Sequence, residues 1–63
     1  MTVRIDAWRW ADLSRRPGRH HHWRTVAVRG GTVLAERSGR AWTVSGAMTA
    51  LARAAWELRK EWS

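Results

Sequence analysis

The sequence predicts an α+β domain: a small antiparallel sheet of three to four strands packed on one C-terminal helix, in the order β-β-β-(β)-α. Three observations carry this. Gly30-Gly31 separates two apolar runs, Ser38-Gly39 follows as a second turn signal, and apolar residues recur at helical spacing from Ser45 to Trp62. The chain of 63 residues reads as one domain. Residues 1–22 form an N-terminal strand plus a basic loop, 23–44 a β-meander and 45–62 the C-terminal helix.

Val3, Ile5 and Ala7 alternate with Arg4, Asp6 and Trp8. β-branched residues at period two suit a strand. The stretch from Leu13 to His22 reads LSRRPGRHHH, a basic loop punctuated by Pro17-Gly18.

The central stretch sets the expected meander. Gly30-Gly31 fits a type I′ hairpin turn, which needs positive φ at both positions. That register pairs Val28 with Val33, Ala27 with Leu34, Val26 with Ala35 and Arg24 with Arg37. A turn at Ser38-Gly39 then pairs Arg37 with Arg40 and Ala35 with Trp42. Cross-strand partners share a face. The expected core face therefore holds Val26, Val28, Val33, Ala35, Trp42 and Val44. The opposite, mixed face holds Trp23, Thr25, Ala27, Leu34, Glu36, Ala41 and Thr43.

The last segment is helical. Thr43 or Ser45 can cap it. Gly46 is unfavourable in a first turn, which moves the expected start towards Ala47. Ala47, Ala50, Leu51, Ala54, Ala55, Leu58 and Trp62 fall on one side and form the expected core stripe. Thr49, Arg53, Trp56 and Lys60 lie opposite, so Trp56 is expected to point away from the sheet.

A domain this short buries only about 60% of the surface its unfolded chain exposes. The sequence has no Cys, so neither disulfides nor thiolate zinc sites can staple it. Six Trp supply bulk instead. No run approaches the roughly 20 apolar residues of a membrane span, and the amino terminus carries no signal-peptide pattern. A cytoplasmic protein that engages no membrane is expected.

The formal charge is +7, from 11 Arg and one Lys against five acids. Positive charge on this scale suits a polyanion such as nucleic acid. A GC-rich coding sequence, as in an actinobacterium or its phage, also favours Arg over Lys, but it does not account for so few acids. Arg15, Arg16, Arg19, Arg24, Arg37 and Arg40 are expected to converge at the end of the sheet nearest Ser38-Gly39. Arg forks bind phosphate in two-point fashion. The competing reading makes them solvated turn residues or partners for Glu36 and Asp12. Trp8, Trp10 and Trp23 each adjoin an Arg, the combination single-strand binders use, but neighbours on a strand point to opposite faces, so the three are expected instead to cover the mixed face as a second small core. Arg53, Trp56 and Lys60 form a candidate partner interface.

The remaining chemistry is sparse. The five acids are not forced together, and His20, His21 and His22 are the only strong general-base candidates. His20 and His22 could share a face on a strand, but a specific metal site needs a third ligand. The expectation is a non-enzyme with no cofactor, no metal and no small-molecule substrate. Three function classes follow: a small nucleic-acid-binding accessory protein encoded by a phage or mobile element, a protein-interaction module such as a phage-encoded inhibitor of a host protein or a homodimeric adaptor, and a virion component.

The turns RGG and SGR, followed by AWTVSGAMTAL, resemble in layout the three-stranded-sheet-plus-helix modules of AP2-like and integrase arm-type DNA-binding domains. The resemblance covers Trp23 to about Trp62 and is one of layout alone. It implies major-groove reading by the sheet face away from the helix, with Trp23, Thr25 and Arg29 on that face.

Overall fold

The computed structural model describes residues 2–12 and 20–62. Three strands and one helix follow in chain order: β1 (Arg4–Ala11), β2 (His21–Arg29), β3 (Thr32–Ala41) and α1 (Val44–Trp62). The sheet order is β1-β2-β3, antiparallel throughout. The α+β class, the N-terminal strand and the single helix stand as expected, and the sheet has three strands.

Gly30 and Gly31 take φ values of 56° and 82°. Both are positive, as a two-residue type I′ turn requires. Val28 pairs with Val33, again as expected. The register then slips, because Ala27 pairs with Ala35 and Leu34 is left as an extra residue. This bulge shifts all later pairs by one: Val26 faces Glu36, Thr25 faces Arg37 and Trp23 faces Gly39.

The second turn is corrected. β3 runs unbroken through Ser38 and Gly39 to Ala41, so no strand folds back after Arg37. The reason is packing. A Cβ at Gly39 would lie 2.7 Å from Trp23 Cζ2 and 2.9 Å from its Nε1. Gly39 is therefore the bare strand position on which the Trp23 indole rests, one of the recognised uses of glycine within a strand. The bulge sets this pair opposite each other.

The core face is also corrected. The helix touches all three strands and β2 most. It covers the face of Trp23, Thr25 and Ala27, the one whose residue pattern is mixed. Thr25 and Ala27 are fully buried. On the same face, Arg37 donates to Glu61 of α1 at 2.8 Å, and Ala41 meets the first helical turn at Gly46. Small residues let the helix lie close to β2. Thr25 satisfies its hydroxyl by donating to the Asp6 carbonyl of β1 at 2.9 Å. Val26 and Val28 are buried on the opposite face, flanked there by Asp6 and Arg4 of β1 and by Glu36 and Val33 of β3. Three residues expected in the core are exposed: Val33, Val44 and Trp42, the last at 67%.

The helix follows the predicted stripe. Ala47, Ala54 and Leu58 are buried; Ala50, Leu51, Ala55 and Trp62 are half-buried. Leu58 is fully buried and is the bulkiest side chain so enclosed among the described residues. Thr43 is the cap, its Oγ1 accepting from the Gly46 amide at 2.9 Å and its carbonyl from Ala47 at 3.0 Å. The helix thus starts at Val44, ahead of the expected position. Gly46 serves the start, since a Cβ there would approach Thr43 Oγ1 to 3.1 Å and Ala41 Cβ to 3.4 Å.

Candidate nucleic-acid interface

The helix leaves the other sheet face open. Strand parity places Trp8 and Trp10 of β1, His22 and Arg24 of β2, and Glu36, Ser38 and Arg40 of β3 on that face. A shallow groove runs over Trp10, His22, Arg24, Glu36, Ser38 and Arg40 and reaches Trp23 and Gly39. It lies at the end of the sheet where Ala11 pairs with His21 and the Asp12 amide donates to the His20 carbonyl at 2.7 Å.

Cross-strand pairing organises the site. Trp10 faces His22, and their rings stack with centroids 5.2 Å apart at an interplanar angle of 8°. Trp8 faces Arg24, whose guanidinium carbon sits 5.4 Å from the indole centroid. This is cation–π geometry. The same guanidinium donates to Glu36 of β3. Arg24 Nε is buried with no hydrogen-bond partner among the described residues. Arg24 is thus held between the Trp8 indole of β1 and the Glu36 carboxylate of β3. Arg40 faces His22 from β3, is exposed, and makes no ion pair among the described residues.

The predicted basic cluster is only partly assembled. Arg24 and Arg40 share the open face. Arg37 does not: the bulge sets Ser38 rather than Arg37 opposite Arg24, and along the continuous β3 Arg37 points to the side opposite Arg40, three residues on. It lies on the helix-covered face, paired with Glu61. Arg15, Arg16 and Arg19 lie outside the described residues. The open-face residues inferred from the layout resemblance are corrected too, since Trp23 and Thr25 lie on the covered face. Arg29, at the end of β2 beside the Gly30-Gly31 turn, is exposed.

The expected second small core of Trp8 and Trp10 is corrected: both indoles lie on the open face, 42% and 43% exposed. Arg9 between them points to the other face, so the adjacent Trp-Arg pairs do not meet within the strand. The interleaving arises across strands, through Arg24 and His22. The signal that could have found it is the tripeptide Trp8-Arg9-Trp10 itself, which puts two indoles on one face by period two.

On the helix, Arg53, Trp56 and Lys60 are exposed on the side away from the sheet, Trp56 at 59%. Among the described residues no three of His, Cys, Asp and Glu gather into a metal-ligating group, and no helix is long and apolar enough to cross a membrane.

The fold and the site define a small basic α+β module with an aromatic, cationic sheet face. No known protein family, curated protein or solved structure matches the chain.

Proposed function

We propose that the protein binds nucleic acid through its open sheet face, as a cytoplasmic accessory protein encoded by a phage or mobile element of a GC-rich host. The observation that carries this reading is the gathering of Trp8, Trp10, His22, Arg24 and Arg40 on the one face the helix leaves uncovered. Flat rings and guanidinium forks are the groups that hold bases and phosphates. The chain's charge of +7 supplies long-range attraction to a polyanion. Gel shift at low and moderate salt, with sedimentation of the same sample, tests it. Binding that falls steeply with salt is expected. Absence of binding to DNA and RNA at low salt ends the reading.

A second reading rests on a separate observation. Trp56 is an exposed indole with Arg53 and Lys60 one turn away on either side. Trp and Arg are enriched where binding energy concentrates in protein interfaces. On this reading α1 presents its outer side to a second copy of the chain or to a host protein. Sedimentation of the native chain and of Trp56→Ala separates the two readings.

A further inference from the structure

We propose that the ligand of the open face is an unpaired strand, two of whose bases stack on the Trp8–Arg24 and Trp10–His22 pairs, and that duplex is the poorer ligand. This rests on the nucleic-acid reading and narrows it to a substrate class.

Trp8 and Trp10 are two residues apart on β1 and share the open face. Same-face neighbours on an antiparallel strand are about 7 Å apart. Along one strand of a duplex, successive units rise by only about 3.4 Å. The two indoles therefore match bases pulled apart, as in an extended single strand, and not bases stacked on each other. In a duplex the flat faces of the bases are already covered by their neighbours, whereas single strands offer them to aromatic side chains.

The site is preorganised. His22 lies parallel to Trp10, and the Arg24 guanidinium caps Trp8. Each indole thus has a fixed cross-strand partner before any ligand arrives, which lowers the ordering cost of binding. Each remains more than two-fifths exposed, Trp8 at 42% and Trp10 at 43%. Surface is left for a base on both.

In the aromatic half of this face Glu36 is paired with Arg24, and Arg40 is the cation without an ion pair among the described residues. At the other end Arg4 is paired with Asp6 at 3.0 Å. Duplex recognition relies on rows of cations along two phosphate backbones. Among the described residues this face offers more stacking surface than unpaired charge, the balance that suits a single strand.

The test uses the full chain and a labelled thymidine oligonucleotide of about twelve nucleotides, within the usual site range of single-strand binders, compared with a duplex of the same length. Fluorescence anisotropy and tryptophan quenching are read at about 50 mM and about 200 mM salt. The single strand is expected to bind at least tenfold tighter than the duplex and to quench indole emission. Trp10→Ala is expected to lose about tenfold for the single strand with little change for the duplex, and Trp10→Phe to recover most of that loss. Circular dichroism establishes that each variant is folded. If Trp10→Ala does not fold, the Trp10→Phe variant and the quenching of the native chain decide. Duplex binding equal to or tighter than single-strand binding overturns this inference and leaves nucleic-acid binding standing. Binding to neither overturns both.

Discussion

The indole of Trp23 lies directly on the backbone of Gly39, so close that a Cβ at position 39 would sit 2.7 Å from Cζ2. The pair is cross-strand, and it exists because the bulge at Leu34 moves Gly39 rather than Ser38 opposite Trp23. Gly39→Ala is expected to push the indole off the strand and destabilise the domain by about 1–3 kcal/mol, the usual cost of overpacking. That is a large share of the roughly 3–5 kcal/mol a single small core supplies. Urea denaturation checks it. In a Trp23→Val background the same substitution should cost little, because the clashing ring is gone. An unchanged midpoint for Gly39→Ala in the native background would show that the ring rests elsewhere.

Thr43 links the last strand to the helix by accepting from the Gly46 amide. Thr43→Ala leaves that amide without its side-chain acceptor and is expected to cost about 1 kcal/mol, with Thr43→Ser close to native. Thermal denaturation followed at the helical circular-dichroism band reads the difference. Equal stability of the Ala and Ser variants would assign the start of the helix to another residue.

The elements that local chemistry dictates were legible in the sequence. Two glycines with positive φ mark one kind of turn, and Gly30-Gly31 adopts it. The helical stripe from Ala47 to Trp62 needs only the 3.6-residue period, and the helix buries that side. What could not be read depends on contacts between strands. Ser38-Gly39 has the composition of a turn, but the glycine answers to an indole 16 residues earlier in the chain. Period two says which residues share a face, but not which face a helix will cover. α1 lies over the face of Thr25 and Ala27, both fully buried there. The same bulge split the expected Arg cluster, leaving Arg24 and Arg40 on the open face and sending Arg37 to Glu61.

Glu36 holds Arg24 on the open face. Both side chains are about two-fifths exposed, and a pair so placed contributes less than about 1 kcal/mol to folding. Its stronger effect falls on binding, where a carboxylate lining the groove repels phosphate. Glu36→Gln is expected to leave stability nearly unchanged and to tighten oligonucleotide binding. If Arg24 then meets a phosphate, the slope of log affinity against log salt becomes steeper by about 0.7 for a single strand. A salt titration of both proteins measures it. Weaker binding by Glu36→Gln would mean that the carboxylate positions Arg24 for its ligand rather than competing with it.

Trp56 lies on the opposite side of the molecule from the aromatic groove, exposed between Arg53 and Lys60. Burial arguments give it little share in folding, so Trp56→Ala is expected to shift stability by no more than about 0.5 kcal/mol. It is also expected to leave oligonucleotide affinity unchanged, because the helix separates it from Trp8 and Trp10. If the outer side of α1 meets a second copy of the chain, sedimentation equilibrium should show association of the native protein that weakens at least tenfold in the variant. A loss of oligonucleotide affinity in Trp56→Ala would instead place the nucleic acid on the helix and remove the open sheet face from the mechanism. Comparing Trp56→Ala with Trp10→Ala in both measurements therefore assigns each surface its own ligand, since neither indole can reach the other's side of the sheet.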